Sequence, residues 1–300
     1  MFKGFSHSVK GASHEASGLV CQDSSAHFEC DYYAVGVVAD GHGSKKHFRS
    51  NMGSQFAVEA TLDTIANFYE DVESFEKTFP LNHKFVIKRM EKQIIANWNT
   101  KVAAHLKSTP VTAAERSKFS SDEFDQIPPE SYYGTTLIAV VAGRGFTFGM
   151  QIGDGSLVAV FEDGETVNPM EYDESAPANI TASLCNASAA SYFNGFFVDK
   201  KRLIAAYAST DGLYTSFGSE YDFIDYHTII TSQLAVSSEF ESAVIKNIVK
   251  RSHFGTQDDV SLSCVYDADL IASSADLLNK KVAENKQKAA ERKAKLLQRN

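Results

Sequence analysis

Between Ala39 and Thr136 this chain carries two helical stretches back to back, with no strand-like run between them. Val58, Leu62, Ile65 and Tyr69 recur at i, i+4, i+7 and i+11. Ile87, Met90, Ile94, Trp98 and Val102 repeat the period over a longer stretch, and Phe240, Val244 and Ile248 make a third face. Such spacing places apolar residues on one side of a helix. Runs rich in Val, Ile, Tyr and Phe at 32–39, 136–142, 146–152, 157–161, 203–209 and 260–266 read as strands. Strict alternation of strand and helix is absent. This excludes a doubly wound parallel sheet and predicts an α+β fold, an antiparallel sheet system with helices packed outside.

Composition narrows the classes further. Apolar residues make up 43% of 300, enough for a sizeable core and too many for a disordered chain. The net charge of −9 argues against generic nucleic-acid binding. No apolar run approaches the roughly 18 residues of a membrane span, and the first residues lack an apolar signal segment. Cys21, Cys30, Cys185 and Cys264 form no CxxC pair and are too sparse for a disulfide framework. The expected location is therefore a reducing cytoplasm. Residues 275–300 hold eight Lys or Arg against three Asp or Glu, with no Gly or Pro. They read as a basic, solvated helical tail, 268–300, after a body spanning 1–267. Thr112-Ala113-Ala114-Glu115 reads as a capping box opening a short helix. Residues 119–131 and 163–195 read as loops or flaps.

The placement of aspartates points to chemistry. Val35–Ala39 runs into Asp40-Gly41-His42-Gly43-Ser44, and Phe148–Ile152 into Gly153-Asp154-Gly155-Ser156. Leu203–Ala208 runs into Ser209-Thr210-Asp211-Gly212, and Asp258-Asp259 precedes Val260-Ser261-Leu262. One Asp-Gly after a strand is ordinary turn chemistry. Four at strand ends, one followed by a histidine, imply converging carboxylates. Crowded carboxylates stay ionised only beside cations. Hard oxygen ligands suit Mg²⁺ or Mn²⁺.

These segments resemble the motifs of the protein phosphatase 2C family, metal-dependent Ser/Thr phosphatases. Asp40-Gly41-His42-Gly43 is similar to its DGHG motif. Gly134-Thr135-Thr136, Gly153-Asp154-Gly155, Thr210-Asp211-Gly212 and Asp258-Asp259-Val260-Ser261 follow in the family's order across roughly residues 4–266. Gly11-Ala12-Ser13-His14 and Cys21-Gln22-Asp23 resemble a bacterial subgroup. The resemblance implies a four-layer αββα architecture, a central antiparallel β-sandwich flanked by helix pairs, with two Mn²⁺ or Mg²⁺ ions at one end. It makes Asp40 the bridging carboxylate, Gly41 a backbone ligand, Asp211 and Asp258 further ligands, and Asp154 a ligand of a third, weaker ion. It makes Asp23 the acid orienting a metal-activated water and His42 the general acid. Implied partners are phosphoprotein substrates and a cognate Ser/Thr kinase.

The chain also departs from the family pattern. Gln22 replaces a carboxylate, Thr215 stands where many members have aspartate, and Asp259 where asparagine is common. Gly18 stands where many members hold the substrate phosphate with arginine; His14, Lys45 and Lys46 are the nearby replacements as donors. Two rivals follow: a pseudophosphatase that binds phosphoproteins without turnover, and a phosphoesterase for small molecules.

Overall fold

The computed structural model describes residues 1–170, 182–237 and 239–297, excepting the side chains of 296 and 297. The first half runs β1 (Phe2–Val9), α1 (Ala12–Ser17), β2 (Ser24–Glu29), β3 (Tyr33–Ala39), α2 (Ser50–Phe68), α3 (Val72–Ser108), α4 (Ala113–Arg116), α5 (Ser121–Asp125), β4 (Leu137–Gly143) and β5 (Thr147–Ile152). The second half runs β6 (Ser156–Phe161), β7 (Thr166–Val167), β8 (Asn194–Val198), β9 (Leu203–Ser209), α6 (Asp211–Tyr214), α7 (Glu220–Leu234), α8 (Phe240–Arg251), β10 (Val260–Asp267), α9 (Ala268–Ser273) and α10 (Ala275–Leu297).

The strands form two antiparallel five-stranded sheets, ordered β1-β10-β9-β6-β7 and β2-β3-β4-β5-β8. Strands β3, β4 and β9 are buried along their whole length, which is why they read as unbroken apolar runs rather than alternations. One face of each fills the sandwich: Ala34, Val38, Ile138 and Val140 meet Leu157, Ala159, Ala206 and Ala208. Five of the fifteen buried residues of this layer are alanines. The outer face of the β3 sheet carries α2 and α3, with Ile65, Met90, Ile94 and Trp98 against Val35, Val37 and Ala139. The outer face of the β9 sheet carries α7 and α8, with Phe223, Ile230, Val244 and Ile248 against Ile204 and Tyr207. The architecture is thus α+β, four layers deep.

Local chemistry explains the less regular parts. Helix α3 bends at Asn82 (φ −134°, ψ 22°), just past Pro80, whose ring cannot continue the helical hydrogen-bond ladder. Both hydrogen bonds of the Thr112/Glu115 capping box form, and Ser120 and Glu123 make a second box opening α5. Glu115 also grips buried Arg49 through two parallel bonds, Nε to Oε1 at 2.8 Å and Nη2 to Oε2 at 2.9 Å. Arg49 further donates to the Thr109 carbonyl at 2.7 Å and to the Tyr133 hydroxyl at 3.0 Å. This one guanidinium staples the excursion after α3 to the start of α2. Of the stretch 163–195, β7 and the start of β8 depart from the loop reading; residues 171–181 lie outside the described residues.

Helix α10 is solvated on one side only. Leu278 is fully buried within the α7–α8 core, and Arg292 pairs with Asp225 at 3.2 Å while lying over the Tyr221 ring. Replacing Leu278 by Ala should therefore cost about 2–4 kcal/mol of unfolding free energy in urea. A change within about 0.5 kcal/mol, as for surface sites, would mean that the tail is not part of the core.

Candidate active site

Asp40 ends β3 and Asp211 opens α6 directly after β9, so each sheet delivers one carboxylate to the same end of the sandwich. The backbone around Asp40 is fixed by the threonines after Gly134. The Asp40 N–H donates to Thr136 Oγ1 at 3.0 Å, and the Asp40 carbonyl accepts from the Thr136 N–H and the Thr135 hydroxyl, both at 2.8 Å. Gly41 continues this bridge toward Thr135. A Cβ at Gly41 would lie 2.6 Å from the Gln22 carbonyl oxygen and 2.7 Å from that of Ser50. The turn can therefore pass between the two segments only as glycine.

The carboxylates raise one another. Burial pushes Asp40 well above the ordinary carboxylate range, and the charges of Asp23, Asp211 and Asp154 push it further. Asp40 and Asp211 lie within side-chain hydrogen-bonding reach of each other. Asp211 is itself raised by burial, by Asp154 and by Asp258, while the bond from Asp40 and the Gly212 N–H oppose the rise. Asp23 is buried behind them; Thr210 Oγ1 donates to its Oδ2 at 2.7 Å.

Asp258 and Asp259 part company. Asp259 is 4% exposed and is consumed by the fold. It accepts the N–H groups of Gly11 at 2.7 Å and Gln22 at 2.6 Å, and His14 Nδ1 lies 2.9 Å from its Oδ2. Asp258 is exposed, and its charge bears on Asp211 and Asp23. Among the described residues no three His, Cys, Asp or Glu side chains are gathered as a ready ligand shell. Asp40 and Asp211 meet directly, whereas Asp154 and Asp258 reach them through their fields. The donors are all hard oxygens, and the central pair is raised by mutual repulsion. A divalent cation fits that donor set, because its charge would offset that repulsion.

His42 stands beside the carboxylates. Its N–H donates to the Gly134 carbonyl at 3.0 Å. Its imidazole lies 4.9 Å, centroid to centroid, from that of His47, whose Nδ1 hydrogen-bonds the Ser131 carbonyl. Burial, with smaller contributions from His47 and Lys46, pulls the His42 pKa down to about 4, against an upward pull from Asp154. Both rings line a cleft of about 440 Å³ together with Lys46, Ser183, Cys185 and Asn186. Of the donors expected from sequence, Lys46 lines this cleft. His14 is instead turned to Asp259, and Lys45 to Glu123 at 3.0 Å with Phe119 beneath it. Gly18 ends α1 in the left-handed conformation, φ 72°, so its glycine answers a helix-capping need. Gln22 donates to Ser50 Oγ at 2.7 Å, and Thr215 Oγ1 to the Asp211 carbonyl at 3.0 Å. All four cysteines are free thiols. His47 and Ser183 carry no periodic or motif signal in the sequence, and Thr210, though inside a motif, gives no sign there of its bond to Asp23.

The fold is an α+β sandwich whose two sheets bring crowded aspartates to one end. The family model for protein phosphatase 2C matches residues 10–250, and the chain belongs to that family. No curated protein matches it in sequence. Among solved structures it is similar to the serine/threonine phosphatase Stp1 of Staphylococcus aureus, at 11% identity and a TM-score of 0.54, covering 89% of this chain and 95% of that one. It is also similar to PppA, a regulatory component of the type VI secretion system in Pseudomonas aeruginosa, at 15% and 0.52, covering 88% and 97%. A third is the Mycobacterium tuberculosis serine/threonine phosphatase PstP/Ppp, at 14% and 0.50, covering 88% and 98%. At these identities the likeness shows the fold.

Crowding at Asp40 sets an expectation for the protein in EDTA. A carboxyl held above its unfolded value of 3.8 adds stability below that pH and loses it as pH rises. Asp40→Asn should raise the melting stability at pH 7.5 by roughly 1–3 kcal/mol. The gain should shrink near pH 4.5, where protons already neutralise the pair. A loss of stability at pH 7.5 would mean that Asp40 is not under repulsion.

Proposed function

We propose that the protein is a phosphoprotein phosphatase, hydrolysing phosphoserine and phosphothreonine with Mn²⁺ or Mg²⁺. The observation that carries this reading is the meeting of Asp40 from one sheet with Asp211 from the other, near His42. Membership of the protein phosphatase 2C family supports it.

Asp40, Asp211, Asp258 and the Gly41 carbonyl are the groups that would hold two divalent ions, with Asp154 available to a third. Such ions supply an activated water and neutralise phosphoryl charge. The chain's own residues do the rest. Asp23, held by Thr210, orients water at the buried side of the cluster. His42, whose lowered pKa a bound phosphate dianion beside the ring would raise, gives a proton to the leaving serine or threonine oxygen, which would otherwise depart as a poor alkoxide. His47 holds the His42 ring, and Lys46 offers a mobile cation to the phosphate at the mouth of the cleft. No helix of the described residues is long and apolar enough to cross a membrane.

Phosphopeptide hydrolysis should vanish on chelation and return with Mn²⁺ or Mg²⁺, and Asp211→Asn should remain at background at saturating metal. Chelator-insensitive turnover, or an active Asp211→Asn, would remove the metal from the reading. Absence of turnover with every divalent ion would favour a phosphoprotein-binding role without catalysis.

His42→Ala should lower kcat on a phosphopeptide by about 10²–10⁴-fold. The loss should be much smaller on p-nitrophenyl phosphate, whose leaving group hardly needs a proton. Equal losses on both substrates would make His42 a structural residue instead.

A further inference from the structure

Just beyond the bend in α3, a second cavity of about 400 Å³ opens between that helix and edge strand β8. It shares no lining residue with the carboxylate cluster or the His42 cleft. Ile87, Phe193 and Phe197 give it apolar walls, and the Phe197 ring is stacked on His83 at 4.1 Å. Glu91 closes it from within the helix and is 1% exposed.

The polar groups here are incompletely used. Lys88 Nζ lies 2.8 Å from Glu91 Oε2 as an ion pair, yet both Glu91 oxygens are buried with no formed hydrogen bond among the described residues. A buried acceptor left unpaired is destabilising, more so when charged. Burial accordingly pushes the Glu91 carboxyl up to about 6, against a smaller downward pull from Lys88. Lys88 Nζ has three N–H donors. One faces Glu91 and one the Phe193 carbonyl at 3.2 Å, which leaves a third. Lys84, also lining the cavity, makes no ion pair among the described residues.

The cavity therefore offers a buried carboxylate whose Oε1 has no ion-pair or hydrogen-bond partner among the described residues, cationic donors nearby, and an apolar wall. A plain amine would satisfy Glu91 but approach two lysines. A plain carboxylate would satisfy the lysines and leave Glu91 Oε1 bare. A small zwitterion with an apolar side chain answers all three needs. The volume is at the low end for ligand pockets, which suits a small metabolite. We propose that this cavity binds a free apolar α-amino acid, its ammonium on Glu91 Oε1, its carboxylate on Lys84 and Lys88, and its side chain against Ile87, Phe193 and Phe197. This proposal is independent of the phosphatase reading.

Isothermal titration calorimetry of the full chain with phenylalanine and leucine tests it, with phenethylamine and 3-phenylpropionate as the analogues lacking one charge each. The expected result is saturable binding of at least one amino acid, with each analogue about 10-fold weaker or more, the loss of one charge-assisted hydrogen bond. Glu91→Gln should weaken the amino acid to a similar degree while leaving phosphopeptide turnover unchanged. Should that variant fail to fold, the analogue series on the unaltered chain decides. No saturable heat with either amino acid, an analogue binding as tightly as its parent, or a folded Glu91→Gln binding like the original would each overturn the proposal.

Discussion

The repulsion between aspartates that two separate sheets bring to one end of the sandwich is the constraint around which the rest of the site is arranged. Each sheet already crowds carboxylates, Asp23 with Asp40 on one and Asp211 with Asp258 on the other, and the sandwich brings the two sets together. Asp40 follows β3 and Asp211 follows β9, and their encounter depends on the packing of the two inner faces. The shared core holds together groups that would separate if it relaxed, because close-packed interiors do not deform cheaply.

Much of the surrounding architecture resists that separation. The threonines at 135 and 136 fasten the Asp40 backbone from one side, and Thr210 ties Asp23 to the β9–β10 end from the other. The Thr210 hydroxyl is itself positioned by the Ser261 N–H at 2.9 Å. Asp259, two residues before Ser261, draws in the N-terminal segment through Gly11, Gln22 and His14. A Cβ at Gly212 would lie 2.2 Å from the Asp259 carbonyl oxygen, so the Asp211 turn and the Asp259 strand start are packed backbone to backbone. Pre-organisation of this kind is what a hydrolytic site needs, since loosely held groups lose their advantage over water.

Legibility from sequence followed burial. The run 203–209 matches β9, and the helix faces at 58–69, 87–102 and 240–248 are the buried ones, because wholly buried strands and one-sided helices leave an apolar pattern. Strands β1 and β2 were not legible. Phe2, Phe5 and Val9 are the buried positions of β1, a spacing of three and four that is not a strand period, and β2 has no buried residue. Strand β8 begins Asn194-Gly195, a pair that reads as a turn. In the site, the strand-end aspartates were legible one by one. The division of labour between Asp258 and Asp259 was not, since the partners of Asp259 lie more than 230 residues away in sequence. The same holds for His14, whose surroundings are set by that distant carboxylate.

The central claim is that the Asp40–Asp211 encounter is the seat of divalent cations. Electron paramagnetic resonance of Mn²⁺ titrated into the chelator-treated protein tests this without reference to turnover. The account expects the six-line signal of free Mn²⁺ to be suppressed until about two equivalents have been added, and Asp40→Asn to abolish that suppression. A free-ion signal that rises in proportion to added Mn²⁺ from the first addition would contradict it.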